Sequence, residues 1–185
     1  MSENVFVYVV NKDDIIVSVG SNWLSFACDN GWRGTVSPEN VEGRSLWDFI
    51  QDPETLYLYQ ELFRRLRDGN SVRPVPFRCD SPRERRFLEL SLKTMQDGQI
   101  EITSRILYTE SRSHISLLDA DTPRSEEFIR ICSMCKKINA GPDQWIEIDE
   151  ALDLLSVFDA ERVPMLSHGM CPQCFQTVMN ELDDF

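Results

Sequence analysis

Apolar residues alternate with polar ones at both ends of the first hundred residues, and a helical period lies between them. Val5 to Val10 is a short β-branched run, closed by Asn11-Lys12-Asp13-Asp14, and Ile15 to Val19 is a second run, which together predict a hairpin. Ser21 is placed to cap a short helix carrying Trp23, Leu24 and Phe26 that closes near Asn30-Gly31. Asp52-Pro53-Glu54 opens the clearest helix, with Asp52 as N-cap and Pro53 in the first helical position. Leu56, Tyr59, Leu62, Phe63 and Leu66 recur there at helical spacing until Gly69 ends it.

Phe87 to Leu92 then alternates with Leu88, Leu90 and Leu92 on one face, and Gln99 to Ile106 with Ile100, Ile102 and Ile106. Asp97-Gly98 between them suits a tight turn, because both residues tolerate positive φ. Val72 to Cys79 is also extended, but Pro74 and Pro76 donate no hydrogen bonds, so this strand belongs at an edge. Strands, then helices, then strands is an α+β order, solved by an antiparallel sheet with helices on one face and a pocket between the two.

Charge divides the chain. Of its 185 residues, 31 are acidic and 19 basic, a net charge of −12. Residues 114–185 hold 14 of the acidic residues but only 5 of the basic ones, and four of the six cysteines. An acidic chain without a basic run excludes nucleic acid as the primary ligand. Nothing approaches a membrane span, and the start lacks the features of a signal peptide, so the expected location is the cytoplasm, where thiols stay reduced. The Pro-containing stretch Asp119 to Ser125 reads as a hinge or short linker, which gives domains at 1–113 and 131–185 with a linker or helix over 114–130.

The second part contains Cys132-Ser-Met-Cys135 and Cys171-Pro-Gln-Cys174. Each C-x-x-C offers two thiolates from one turn, and two such pairs supply the four ligands of tetrahedral zinc. The 35 intervening residues must form a small lobe of their own, with a strand around Trp145 and a helix from Asp149 to about Phe158. After Cys174, residues Phe175, Val178, Met179 and Leu182 line a last helix. His168 is placed to orient a knuckle from outside the ligand set. The competing reading is a thiol redox switch, in which Lys136 and Lys137 lower the thiol pKa values.

Val-Glu-Gly-Arg-Ser-Leu-Trp-Asp-Phe-Ile (41–50), the capped helix after Asp52, and Phe-Arg-Cys-Asp-Ser-Pro (77–82) resemble the corresponding parts of a PAS domain, the bacterial sensor module, over residues 5–113. The resemblance implies a sensing or protein-interaction module rather than a catalyst. Trp23, Phe26, Trp47, Phe49, Tyr59, Phe63, Phe77 and Leu90 are the candidate lining of its pocket, although filling the core is the ordinary duty of such residues. Haem is disfavoured because residues 53–68 contain no His, and photoactive flavin because no Asn-Cys-Arg-Phe-Leu-Gln motif occurs; the ligand stays unknown. Cys28 and Cys79 read as core residues, and His114 as a surface residue.

Cys132 to Ile138, Trp145 and Ser167 to Cys174 resemble a tail appended to bacterial PAS-containing sensor and regulator proteins, with the pattern Cys-x-x-Cys-Lys-Lys-Ile, Trp, Ser-His-Gly-x-Cys-Pro-x-Cys. Arg83, Arg85 and Arg86 form a basic turn suited to solvent, to an acidic partner, or to the acidic tail itself. No P-loop, dinucleotide-binding glycine loop or hydrolase motif is present, so no enzyme is expected. The expected protein is a signal sensor that relays through a zinc-stabilised lobe to another signalling protein, and pairs as a homodimer through its flanking segments.

Overall fold

Asn11 shapes the first turn of the computed structural model, which describes residues 4–22, 37–142, 144–154 and 162–183. Its side-chain oxygen accepts the N–H groups of Asp13 and Ile15 at 2.9 and 3.0 Å, and Asp14 takes a positive φ of 61°. The turn joins β1 (Val5–Val10) to β2 (Ile16–Val19), which pair antiparallel as expected. Trp23 and Phe26, with the short helix expected there, lie outside the described residues.

A single helical turn, α1 (Pro38–Val41), and a 3-10 turn (Leu46–Phe49) lead to α2 (Pro53–Arg67). The cap predicted for α2 is present: an Asp52 carboxylate oxygen accepts the Thr55 N–H at 2.9 Å. Its other end is closed by Gly69, at φ 87°, whose N–H reaches Leu66 O at 3.1 Å while Asn70 N–H reaches Arg65 O at 3.0 Å. This paired closure needs a left-handed residue, which glycine supplies without a Cβ penalty.

The strands β3 (Val75–Arg78), β4 (Glu84–Thr94) and β5 (Ile100–Ser111) complete a five-stranded antiparallel sheet in the order β2-β1-β5-β4-β3. The Pro-containing strand β3 lies at its edge, where a missing donor costs no ladder bond. Asp97 and Gly98 both have positive φ, 57° and 72°, in the tight turn between β4 and β5. Leu88, Leu90, Leu92, Ile100, Ile102, Phe6 and Val10 are buried from the sheet, as are Leu58, Leu62, Phe63 and Leu66 from α2. Each such side chain contributes about 1.5–3 kcal/mol of transfer free energy. Tyr8 and Tyr59 share a hydrogen bond between β1 and α2, and burial holds both phenols above their ordinary range, Tyr59 at about 12.

The chain divides into two compact units, but not at residue 113. The first is Met1–Pro76 with Phe87–Tyr108, and the second is Phe77–Arg86 with Thr109–Phe185. Strands β3, β4 and β5 therefore run out of the first unit, and their outer ends belong to the second.

Residues 114–130, expected as a linker or helix, fold into a 3-10 turn (Ser116–Leu118) and most of β6 (Arg124–Cys132). The polar stretch is a tied turn rather than a hinge, because the Arg124 guanidinium donates to the carbonyls of Leu117, Pro164 and Asp119 at 2.8–3.0 Å. β7 (Ile138–Gly141), β8 (Gln144–Ile146), α3 (Ile148–Leu154), β9 (Val163–Gly169) and α4 (Pro172–Asp183) follow. The second sheet has the order β8-β7-β6-β9, and β9 lies parallel to β6. Ile131, Ile138, Ile148, Ala151, Leu152 and Val163 form its core with Ile115 and Leu117. Among the described residues, no helix is long and apolar enough to cross a membrane.

Candidate metal centre

The parallel pairing of β6 and β9 puts the ends of both strands at the same edge of the second sheet. Cys132, the last residue of β6, sits in register with Gly169, the last of β9. The two C-x-x-C segments start from there as neighbours, although 35 residues separate them in sequence.

The first knuckle turns back at once into β7. Cys132 N–H donates to Lys137 O at 2.8 Å, Lys136 N–H to Cys132 O at 3.1 Å, and Lys136 takes a φ of 61°. The second knuckle is the start of α4, with Pro172 in the first helical position. Phe175 N–H donates to Cys171 O at 3.0 Å, and Cys174 N–H to Cys171 Sγ at 3.4 Å. Cys171 thus occupies the cap position of α4, its sulfur accepting a first-turn N–H. Two bonds tie the knuckles together: Ser133 N–H to Gly169 O at 2.7 Å, and Cys171 N–H to Cys132 Sγ at 3.3 Å.

The four sulfurs of Cys132, Cys135, Cys171 and Cys174 all lie within 4.8 Å of one another, and Cys135 Sγ is 3.8 Å from Cys171 Sγ. A tetrahedron with metal–sulfur bonds of about 2.3 Å has sulfur–sulfur edges of about 3.8 Å. The cluster is therefore close to the size that a tetrathiolate metal site requires, with Cys132 and Cys171 buried and the other two half-buried. The donor set fits a metal ion of the kind thiolates select.

Charge makes the same point. Hydrogen bonds from Cys135 and then Cys174 hold the Cys132 thiol far below its ordinary range. Bonding to that thiolate pushes Cys135 up to about 12 and Cys174 higher still. Like charges at this spacing oppose one another's ionisation. A dication at the centre would release the remaining protons and satisfy all four thiolates.

His168 is exposed on β9, in register with Ile131, and is not among the clustered ligand atoms. Two features of the knuckles carried no sequence signal. Arg78 N–H donates to Met134 O, inside the first C-x-x-C, at 2.7 Å. The Arg130 guanidinium lies against Gly169, where an added Cβ would be 2.1 Å from Nε, and 6.0 Å from the Trp145 ring. The basic turn meets the acidic tail, one of the placements its sequence left open: Arg85 pairs with Asp149, and the nearby Arg78 with Glu147 at 2.9 Å. The excess of arginine in residues 77–86 was the available signal for that last contact.

Among the described candidate pocket residues, three aromatic rings meet. Phe63 is buried beside Trp47 (5.5 Å between rings) and Tyr59 (6.2 Å), and Leu90 is core. Phe49 is 37 % exposed, with the Arg44 guanidinium 4.6 Å from its ring, and Phe77 belongs to the second unit. Trp47 and Phe63 border an open cleft of about 350 Å³ with Asp14, Gln60, Arg64, Arg67 and Asp68. There Asp14 accepts from the Trp47 indole at 3.1 Å and from Arg67 at 2.5 Å. Cys28 lies outside the described residues, Cys79 is half-buried, and the exposed His114 meets Asp119 at 3.0 Å.

No protein-family profile matches the chain, and no curated protein sequence matches it. Among solved structures, a sensory box sensor histidine kinase from Vibrio cholerae is similar at 17 % identity and a TM-score of 0.39, over 56 % of this chain and 82 % of that one. A C-terminal domain from Streptococcus mutans is similar at 19 % identity and 0.40, over 56 % and 76 %. A domain of an HTR-like protein from Haloarcula marismortui is similar at 14 % and 0.36, over 58 % of this chain and 100 % of that one. Likeness at these scores carries nothing about activity.

Proposed function

We propose that the chain is a signal-sensing protein, in which a PAS-like unit responds to a ligand or partner and a zinc-stabilised lobe presents the output surface to another signalling protein. The observation that carries the metal half is the clustering of four cysteine sulfurs within 4.8 Å. Zinc is the ion that best suits four thiolates in a closed, structural site. Its binding free energy serves as folding free energy for a small lobe whose hydrophobic cluster holds, among the described residues, eight buried side chains. The sensing half is supported by the antiparallel sheet with α2 against one face and by the sequence resemblance over residues 5–113. The reading assigns the chain no catalytic step, a place in the cytoplasm and pairing with a second copy.

Elemental mass spectrometry on protein purified under reducing conditions without chelator tests the metal. One zinc per chain, lost in a Cys132→Ser/Cys174→Ser variant, is the expected result. No metal, with four thiols that titrate and form disulfides under mild oxidant, would replace this reading with a thiol redox sensor.

A further inference from the structure

The carbonyl of Met134 lies midway along the first C-x-x-C, and the Arg78 N–H that it accepts comes from the last residue of β3. Arg78 is not free to aim that N–H elsewhere. Its guanidinium bonds Asp80 through Nε at 3.2 Å and Nη2 at 2.6 Å, and Glu147 through Nη1 at 3.1 and 2.9 Å. The Asp80 side chain is 0 % exposed and has a second arginine, Arg112 Nη1, at 3.2 Å. Arg112 also fixes the hairpin tip, donating through Nη2 to Ser81 O at 2.9 Å and through its main-chain N–H to Arg83 O at 2.9 Å. Buried charges persist only while their partners stay in place, so this network holds the backbone of residues 78–83 in one arrangement.

We infer that Arg78 and Asp80 are positioning residues of the metal centre, and that metal occupancy and the order of the β3–β4 hairpin tip are thermodynamically linked. The inference rests on the metal reading above. A knuckle whose Met134 carbonyl is already held enters the metal complex without losing the freedom of that turn, and preorganisation of this kind raises affinity. Linkage is reciprocal: whatever the ordered tip adds to metal binding, bound metal adds to the order of the tip. Because β3 and β4 run on into the first sheet, the residues that respond to metal include the end of that sheet's edge strand.

The test is hydrogen exchange on the full chain, reduced, with zinc and after stripping by chelator. Zinc is expected to slow exchange at the Arg78 amide and across residues 79–86, as well as at 132–137, and to leave α2 unchanged. Zinc binding with no change at residues 77–86 overturns the inference while leaving the metal reading intact; no zinc binding at all overturns both. A second measurement is zinc competition against a chelator. Asp80→Asn should weaken zinc binding roughly 10- to 100-fold, the range seen when groups that orient metal ligands are lost, and Arg78→Lys, which keeps a cation but not the fork, should lie between. The rise in Tm on adding zinc should shrink in Asp80→Asn but persist in Asp52→Ala, whose defect is confined to α2. An unchanged rise in Asp80→Asn overturns the inference. Should Asp80→Asn fail to fold, exchange on the wild-type chain decides.

Discussion

Gly169 stands in the Ser-His-Gly-x-Cys-Pro-x-Cys stretch, directly against the metal centre, and a substitution there looks severe. The structure predicts a mild effect. No left-handed φ is required at this residue, so alanine meets no backbone penalty in the strand. The obstacles to a Cβ are Arg130 Nε at 2.1 Å, Nη2 at 2.5 Å and Cζ at 2.6 Å, all at the far end of a flexible and exposed side chain. Swinging that side chain away gives up its place near the Trp145 ring, 6.0 Å distant, a cation–π contact of about 0.5–1 kcal/mol at an exposed site. Replacing glycine restores about 0.4–1 kcal/mol by restricting the unfolded chain. Gly169→Ala should therefore change the unfolding free energy of the metal-loaded protein by less than about 1 kcal/mol. Urea titration followed by tryptophan fluorescence measures it, and Arg130→Ala/Gly169→Ala isolates the cause: with the guanidinium gone, alanine at 169 should be neutral or stabilising. A loss above about 2 kcal/mol that persists in the Arg130→Ala background would refute the reasoning, since the obstacle would then be the backbone.

Three further outcomes are expected. Asp52→Ala removes the acceptor for the Thr55 N–H and should cost about 1 kcal/mol in thermal or urea unfolding, with a range of roughly 0.5–2. Ile138→Ala empties a fully buried position in the core of the second unit and should cost about 2–5 kcal/mol; a loss below about 1 kcal/mol in calorimetry would contradict that packing. Glu61 is held down to about 2 by hydrogen bonds from Arg64 and then Arg65, against an ordinary value of 4.5. A depressed carboxylate stabilises the fold above its unfolded pKa and loses that contribution as pH falls through the folded one. Glu61→Gln should thus be less stable than wild type at pH 7, and the two denaturation curves should converge between pH 4.5 and pH 2.

The first sheet was legible because its signals are local. Alternation at Leu88, Leu90 and Leu92, the Asp97-Gly98 turn, and Asp52 with Gly69 around one helix each act over a few residues. The clustering of the four cysteines was legible because paired thiols at a three-residue spacing have few other uses. β6 and β9 were not. Arg124 to Glu127 is too polar to announce a strand and Pro164 interrupts β9, while their pairing depends on partners about 38 residues apart, which no local pattern encodes. The same limit hid the contact from Arg78 to Met134. The candidate pocket residues are less legible: aromatic residues signal burial alike whether they surround a ligand or one another, and Phe63 packs beside Trp47 and Tyr59.

Parallel pairing of β6 with β9 also sets an order of assembly. A parallel neighbour requires a crossover, here β7, β8 and α3, so the second strand cannot dock until that stretch has been made. At about 5–20 residues per second, the 35 residues between the two cysteine pairs take about 2–7 s to leave a ribosome. Through that interval Cys132 and Cys135 are present as half a site, able to chelate but not to enclose an ion. Closure of the cluster waits for β9 and the start of α4, which carry the second cysteine pair. A chain truncated or stalled before Cys171 should therefore hold only the first cysteine pair and exchange its metal freely.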